Sequence, residues 1–279
     1  MRLNWMGYLI LAFCVSMVSG QSRKIVRYSP TPDVIHYGEV RGNTIHQLRN
    51  DIGEIAEGKF AFTGTKHALD AVRLLPPVVP SKIICFGWTF PSHAKEVGGE
   101  AHRKEPLVFL KPPTVLIADK DTIILPKDLS KQVEFEGELA VVIGKRSRNL
   151  DVEEAMGAVM AVTCFNDVTA RDLTKKDPEF TRGKGFDTFG PLGPWMVTGI
   201  DPQDLRLQTV VNGKILQDAR ISEMTFEMPF LISYISQVMT LLPGDVIAFG
   251  TPGGSGRLES GDVVQVKIEG IGTLTNPVK

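Results

Sequence analysis

Residues 133–144 read Val133-Glu-Phe-Glu-Gly-Glu-Leu-Ala-Val-Val-Ile-Gly144, and this stretch carries more structural information than any other part of the chain. Its first half alternates, so a β-strand would place Glu134, Glu136 and Glu138 on one face. The carboxylates lead directly into Leu-Ala-Val-Val-Ile, a run that predicts burial on both faces. A fold that holds carboxylates beside its core usually supplies a cation, and oxygen ligands suit Mg²⁺, Mn²⁺ or Ca²⁺. A solvated edge strand is the alternative that this stretch leaves open.

The composition limits the class of protein. The chain has 279 residues and 43% hydrophobic content, enough for one large core with a small appendage. Lys plus Arg is 31 and Asp plus Glu is 32, the charges are interspersed, and no nucleic-acid partner is expected. Cys85 and Cys164 lie in apolar runs and are predicted to be buried as small hydrophobic residues.

The first twenty residues differ from the rest. Arg2 precedes an apolar run from Trp5 to Val18, and small residues follow, which is typical of a secretory signal peptide at residues 1–20. The run is too short to span a bilayer as a mature helix, so no stable membrane span is expected after cleavage. The sequence therefore predicts an exported protein. A mitochondrial presequence, or a cytoplasmic protein whose start codon is assigned too early, remains an alternative.

The order of apolar runs and breaking residues predicts the domain organisation. A proline-rich segment breaks any regular element near residue 77, so we expect a small N-terminal lobe at 21–75, a linker at 76–80 and a main domain at 81–279. Helical patterns are few, and the clearest is Pro229–Met239. Many short β segments with few helices predict a mainly β or α+β fold with a rolled, mixed β-sheet.

Polar residues elsewhere in the chain suggest a site. Asp167 follows a predicted buried strand at the point where the chain turns. His93 and Glu96 are three residues apart and would share one face of a helical turn. Lys184 lies between two glycines, which would let the backbone approach a ligand. A further strand ends in the glycine-rich segment 250–253.

Each of these residues also has a structural explanation. His93 and Glu96 could form a surface pair on a helix, and Asp167 could cap a helix. Lys184 could be a charge at the tip of a loop. Arg171-Asp172 could be a structural ion pair, so neither residue is placed in the catalytic set.

In the order and spacing of its motifs, the chain from Lys82 to the C-terminus resembles the fumarylacetoacetate hydrolase family. The segment before Lys82 also resembles the small domain that precedes this unit in many members. The resemblance implies a rolled mixed β-fold and a homodimer. The motifs are Lys82-Ile-Ile-Cys-Phe-Gly with His93-x-x-Glu96, Glu136-Gly-Glu138-Leu, Asn166-Asp167 with Ala-Arg-Asp172, Lys184-Gly-Phe-Asp, Gly190-Pro-Leu-Gly-Pro-Trp195, Val211-Asn-Gly, Pro243-Gly-Asp245, Gly250-Thr-Pro and Gly261-Asp-Val-Val.

The resemblance implies a metal site and a catalytic set. A 2-oxo acid can chelate Mg²⁺ or Mn²⁺, with Ca²⁺ as a further possibility, and the ion can stabilise an enolate. An imidazole oriented by a carboxylate would move a proton, and a lysine would bind the enolate or the substrate carboxylate. Carried over by motif, the metal ligands are Glu136, Glu138 and Asp167, the acid/base pair is His93 and Glu96, the cation is Lys184, and the substrate contact is Thr251.

The implied activity is a divalent-metal-dependent hydrolase that acts on a small-molecule 2-oxo or 1,3-dioxo acid. It would cleave a C–C bond of an acylpyruvate or a fumarylacetoacetate-like compound through a metal-stabilised enolate. Because other reactions share that enolate, an isomerase or tautomerase of the 2-hydroxyhepta-2,4-diene-1,7-dioate type and an oxaloacetate decarboxylase stay open. A non-catalytic metal-binding relative also stays open.

Three departures from the family pattern predict an altered substrate side of the pocket. Trp88-Thr89-Phe90 stands where many members carry an Asn-Tyr pair. Leu173-Thr174 stands where a glutamine is common, and Phe249 replaces a usual threonine.

Overall fold

The structure, a computed structural model, describes residues 21–99 and 104–279. The predicted signal peptide at residues 1–20 lies outside the described residues. No helix within the described ranges is both long and apolar enough to cross a membrane. The helices are α1 (Ile52–Ala56), α2 (Pro91–Glu96), α3 (Val152–Ala155), α4 (Arg171–Thr174), α5 (Thr181–Lys184) and α6 (Met228–Val238). The strands are β1 (Arg23–Ser29), β2 (His36–Arg41), β3 (Thr44–Leu48), β4 (Phe62–Ala68), β5 (Arg73–Leu75), β6 (Ile83–Gly87), β7 (Leu107–Lys111), β8 (Leu116–Ile117), β9 (Val133–Phe135), β10 (Gly137–Ile143), β11 (Val159–Asn166), β12 (Thr169–Ala170), β13 (Gly190–Thr198), β14 (Arg206–Val211), β15 (Lys214–Arg220), β16 (Val246–Ala248), β17 (Gly256–Arg257), β18 (Val263–Ile268) and β19 (Gly272–Pro277).

A twelve-stranded mixed sheet forms the body of the described chain. Its order is β4-β3-β2-β1-β13-β11-β10-β16-β6-β7, with β5 paired to β1 and β8 paired to β13. The pairs β6–β16 and β8–β13 are parallel. Two smaller sheets have the orders β12-β9-β17 and β15-β14-β18-β19. The predicted fold class, a sheet-dominated α+β protein with a mixed sheet, is confirmed.

The N-terminal strands join this main sheet. Strand β1 pairs with β13 in an antiparallel register that places Ile25 opposite Met196. Both side chains are fully buried in one hydrophobic cluster with Leu192. The N-terminal strands therefore continue the sheet of the main unit, and the division of the chain at residues 76–80 stays a prediction.

Strand β10 lies at the centre of the core. Leu139, Val141 and Ile143 pack on one face in a cluster that includes residues of α6. Ala140 and Val142 pack on the other face in a second cluster. All five residues have no exposed surface, so the predicted burial of this segment on both faces is confirmed. Cys85 and Cys164 are also buried, as expected, and both are free cysteines.

The quoted stretch contains a break at Glu136. The sequence predicts one alternating strand, but the structure has two, because β9 pairs with β12 and β17 while β10 pairs with β11 and β16. At the break, the Glu136 amide donates to Asn166 Oδ1 (3.0 Å), and the Asp167 amide donates to the Glu136 carbonyl (2.8 Å). Glu134, Glu136 and Glu138 are all buried, so the alternative of a solvated edge strand is wrong.

Gly137 permits the close approach of β10 to β14. A Cβ atom at this position would lie 2.0 Å from Thr209 Oγ1 and 3.3 Å from Gln217 Oε1. We therefore expect Gly137→Ala to lower the free energy of unfolding by about 1–3 kcal/mol, measured by urea denaturation. The control is Gly157→Ala, because a Cβ there meets no described atom within 4 Å. Equal unfolding midpoints for the two variants would contradict the close approach.

Candidate metal centre and its cavity

Three carboxylates converge where β10 and β11 pair. Gly137 lies opposite Asn166 in this antiparallel pair, so Glu136 and Asp167 lie next to each other just beyond its end. Glu138 follows on β10. One ligand atom from each carboxylate lies within 4.8 Å of the others, and all three residues are buried. The structure thus brings together the three ligands that the sequence predicted, although they are separated by up to 31 positions in the chain.

Lys184 lies beside this cluster at the end of α5. Its Nζ donates to Glu136 Oε2 (2.7 Å) and contacts Asp167 Oδ2. Burial disfavours the charged ammonium group of Lys184. The attraction of the Asp167 and Glu136 carboxylates outweighs this effect and raises the pKa of Lys184 to about 12. The alternative of a charge at a loop tip is wrong. The preceding residue, Gly183, allows α5 to pack closely against α4, because a Cβ at Gly183 would lie 2.4 Å from Thr174 Cγ2.

Lys111, the last residue of β7, is a second buried cation that sequence reasoning missed. Its Nζ donates to Asp167 Oδ1 and to the Val168 carbonyl (3.0 Å). Burial lowers the pKa of Lys111. Together the two lysines contact both oxygens of Asp167. Asp167 does not cap α4, because the N-cap residue of that helix is Ala170 and no side chain caps it. The only hint in the sequence is a lysine that closes an apolar run directly before Pro112.

Arg171 is a third cation of the site. Its Nε donates to Glu134 Oε2 (2.7 Å), and its Nη2 contacts Glu136 Oε1. Asp172 accepts instead from the Ser130 hydroxyl (2.6 Å). The suggested structural pair between Arg171 and Asp172 is therefore wrong. Arg171 lines the cavity, although the sequence did not place it in the catalytic set.

The charges and donor atoms fit a divalent cation. With every group ionised, four carboxylates against three cations leave one negative charge in excess. Burial and the neighbouring Asp167 raise the pKa of Glu138 well above its ordinary range, and a cation among the carboxylates would relieve that repulsion. All the donors are hard oxygen atoms, which suit Mg²⁺, Mn²⁺ or Ca²⁺. The buried groups counted are Glu134, Glu136, Glu138, Asp167, Lys111, Arg171 and Lys184.

Helix α2 presents His93 to this cluster. Pro91 begins the helix, and His93 is buried with Nε2 3.8 Å from Glu136 Oε1. On the other side of the ring, Nδ1 lies 3.5 Å from Glu96 Oε2, so the two residues share a helix face as expected. Burial lowers the pKa of His93, which favours the neutral imidazole. The same Glu96 oxygen accepts from the Gly254 amide (3.0 Å), which ties α2 to the glycine-rich loop.

Thr251 lines the cavity but its hydroxyl is engaged within the protein. It donates to the Gly137 carbonyl (2.8 Å) and accepts from Gln217 Nε2 (2.8 Å). Gln217 in turn accepts from the Gly137 amide (3.1 Å). Thr251 and Gln217 therefore hold the bend between β9 and β10, and a substrate contact by Thr251 stays a prediction. Gln217 carried no signal in the sequence.

The cavity is small, with an empty volume of about 350 Å³. Of the positions that depart from the family pattern, Trp88 and Thr174 line it. Leu173 and Phe249 lie in the hydrophobic core instead, where Phe249 stacks on Phe86 with ring centroids 6.2 Å apart. Only some of the residues that depart from the family pattern can therefore alter the substrate side of the cavity.

Comparison with known families shows which family this chain belongs to. The family model described as "Fumarylacetoacetate (FAA) hydrolase C-terminal" matches residues 82–279. The chain belongs to the fumarylacetoacetate hydrolase family. A second model, described as "Rv2993c-like, N-terminal", matches residues 23–77. The resemblance inferred from the motifs is thus confirmed over most of the chain.

Similar proteins of this family carry several enzyme names. The oxaloacetate tautomerase YisK of Bacillus subtilis is 41% identical over 225 residues, which cover 76% of this chain and 75% of that protein. The structure of 2-hydroxyhepta-2,4-diene-1,7-dioate isomerase from Mycobacterium marinum is 40% identical with a TM-score of 0.83, covering 92% of this chain and 98% of that one. The maleylpyruvate hydrolase of a Sphingobium species, solved with manganese(II) and pyruvate, is 28% identical with a TM-score of 0.76, covering 91% and 98%. The prediction of an enzyme of this family is confirmed, whereas the homodimer stays a prediction.

Proposed function

We propose that the protein is a divalent-metal-dependent tautomerase of a short 2-oxo acid, with oxaloacetate as the representative substrate. The observation that carries this proposal is the buried imidazole of His93 beside three converging carboxylates in a cavity of about 350 Å³. Burial lowers the pKa of His93, which favours its neutral form. The names of the Bacillus subtilis and Mycobacterium marinum relatives support it. The motifs alone favour C–C hydrolysis slightly, whereas the names of these relatives favour tautomerisation, the alternative that the motifs leave open.

Glu136, Glu138 and Asp167 would hold the metal ion. When bound, the ion supplies Lewis-acid polarisation of the 2-oxo group and makes the neighbouring C–H bond more acidic. Lys111 holds Asp167 from the side of β7, and Arg171 holds Glu136 from the side of α4. These contacts fix the orientation of two carboxylates before any ligand enters, which lowers the cost of reorganisation during the reaction.

His93 would transfer the proton. Its neutral form accepts the proton from C3 of the keto acid, and the imidazolium returns a proton to the oxygen on C2, so that a C–H bond breaks and an O–H bond forms. The charge that develops on His93 is stabilised by Glu136 at 3.8 Å and by Glu96 at 3.5 Å. Both distances are longer than that of a good hydrogen bond. Such long distances are common between catalytic groups in ligand-free sites, and they shorten when substrate binds.

Lys184 would neutralise the negative charge of the substrate. Its raised pKa keeps the ammonium group charged throughout the neutral range, and it lies between Glu136 and Asp167. A substrate carboxylate could share this cation with the two protein carboxylates. Arg171 can assist from the opposite side of Glu136, because its guanidinium also lines the cavity.

C–C bond hydrolysis is the second candidate. The observation that favours it is the contact between His93 and Glu96, since an imidazole oriented by a carboxylate can activate a water molecule as well as move a proton. The maleylpyruvate hydrolase relative supports this candidate. The two reactions differ in their products, because hydrolysis separates the carbon chain and tautomerisation leaves it intact.

The two candidates are tested with one panel of substrates. We expect the enzyme, stripped with EDTA and then reloaded with Mn²⁺ or Mg²⁺, to accelerate the conversion between keto and enol oxaloacetate, followed by enol absorbance. The same reactions are assayed for pyruvate, which reports decarboxylation, and acylpyruvates are assayed for cleavage. Cleavage of acylpyruvates without tautomerase activity would replace the proposal with the hydrolase. Metal binding without turnover of any member would indicate a non-catalytic relative.

A further inference from the structure

Charged and aromatic residues line the cavity together, and Lys184 Nζ lies 4.9 Å from the centroid of the Phe109 ring. We call the four aromatic residues of the lining the aromatic wall. Ring contacts fix part of the wall. Phe86 stacks on Phe249, and Phe109 meets Phe180 edge to face with ring centroids 5.4 Å apart. The members of the aromatic wall are Phe86, Trp88, Phe109 and Phe180.

Trp88 is the strained member of the wall. Its φ is +57°, in the left-handed region that bulky residues rarely adopt, and such backbone strain is concentrated at functional sites. The indole is backed by Gly99, where an added Cβ would lie 2.8 Å from Trp88 Cδ2 and 2.9 Å from Cε2. Gly99 itself is anchored by its amide, which donates to the Ala94 carbonyl of α2 (2.7 Å). The indole is therefore confined between the cavity and a residue without a side chain.

The carboxylate and keto oxygens of a 2-oxo acid belong beside the metal ligands and Lys184. The rest of its carbon chain is then left to contact the aromatic residues of the same lining. The empty space of about 350 Å³ includes the open mouth of the cavity, so the enclosed part is smaller. A metal ion and its waters would occupy part of it, which leaves little room for a carbon chain beside the indole.

We propose that Trp88, backed by Gly99, sets the chain length of the substrate. Short 2-oxo acids of the size of pyruvate and oxaloacetate fit beside the indole, whereas longer acyl chains collide with it. This inference rests on the site described under the proposed function, because it needs the 2-oxo acid head group to bind among the carboxylates and lysines. It adds the class of substrate and the residue that selects it.

The test measures binding and not turnover. The Mn²⁺-loaded protein is titrated by calorimetry with pyruvate, 2-oxobutyrate, 2-oxopentanoate, 2-oxohexanoate and 2-oxooctanoate. The readout is the ratio of each Kd to that for pyruvate. A pocket that discriminates by one methylene changes affinity by about tenfold or more, so we expect the ratio to rise steeply within this series for the natural protein.

Two variants should shift this ratio in opposite directions. Trp88→Gly removes the indole, and glycine adopts a φ of +57° without strain, so the variant should fold and lose about tenfold or more of the discrimination against 2-oxohexanoate. Gly99→Ala adds a Cβ that pushes the indole toward the cavity, so discrimination should begin at a shorter chain. Gly157→Ala is the matched control, because its Cβ meets no described atom within 4 Å.

The outcomes separate this inference from the proposed function. Chain-length discrimination that disappears in Trp88→Gly supports the inference even if oxaloacetate is not turned over, in which case only the proposed reaction fails. Tautomerase activity together with equal binding of pyruvate and 2-oxohexanoate overturns the inference alone. An unchanged ratio in Trp88→Gly, or no binding of pyruvate by the Mn²⁺-loaded protein, also overturns it.

Discussion

Replacement of Glu138 by glutamine is expected to lower Mn²⁺ affinity by about 100-fold or more, while the metal-free protein stays at least as stable. Glu138 is buried beside Asp167 and Glu136, and its pKa is raised because the charged form is unfavourable there. The amide keeps an oxygen that can accept from the Gly250 amide, which donates to Glu138 Oε2 at 2.9 Å. The variant thus removes repulsion from the metal-free site and a ligand from the metal-bound site.

The measurement combines two experiments on the same variant. Calorimetry with Mn²⁺ gives the affinity, and thermal denaturation in EDTA gives the stability of the metal-free protein. Glu153→Gln is the control, because Glu153 is exposed on α3 and should change neither quantity. Undiminished Mn²⁺ affinity in Glu138→Gln would remove Glu138 from the ligand set. A clear loss of stability in EDTA would show that its carboxylate is stabilising without the ion.

His93→Gln should reduce kcat for oxaloacetate by about 10²–10⁴-fold and leave the Mn²⁺ Kd nearly unchanged. The ring lies 3.8 Å from Glu136, so it faces the carboxylates without belonging to them, and glutamine cannot accept and return a proton. Calorimetry and steady-state kinetics on one protein preparation provide the two values. Loss of Mn²⁺ binding in this variant would mean that His93 supports the metal centre and not the proton transfer.

Glu96→Gln is the companion of that experiment. Glu96 contacts His93 Nδ1 at 3.5 Å and its side chain is 38% exposed, so we expect it to position the imidazole and not to transfer the proton itself. We expect a smaller loss of kcat than for His93→Gln. A loss as large as that of His93→Gln would show that the two residues act as one unit.

The acidic site was largely predictable from the sequence. Glutamates that run directly into an uninterrupted apolar segment indicate carboxylates beside the core, and burial of such groups requires a partner. The spacing of His93-x-x-Glu96 also predicted that the two side chains lie side by side, because residues three apart share a face of any helical turn. Both inferences depend on spacing along a single element, which the sequence records directly.

Other features of the site required the tertiary structure. Lys111 and Arg171 were missed or excluded because their partners are 56 and 35 positions away, and no local pattern identifies such partners. The break at Glu136 was also missed. It arises because β9 and β10 pair with strands of different sheets, which the alternation of residues in 133–138 does not show.

The sequence by itself determined the β-rich core, the three carboxylates and the family, since these depend on residue types in a fixed order. Only the tertiary structure decided which cations neutralise the carboxylates and which departures from the family pattern reach the cavity. Trp88 faces the cavity with Gly99 behind it, while Phe249 is buried in the core. The reason is that burial and close approach depend on contacts between elements that fold together from distant parts of the chain.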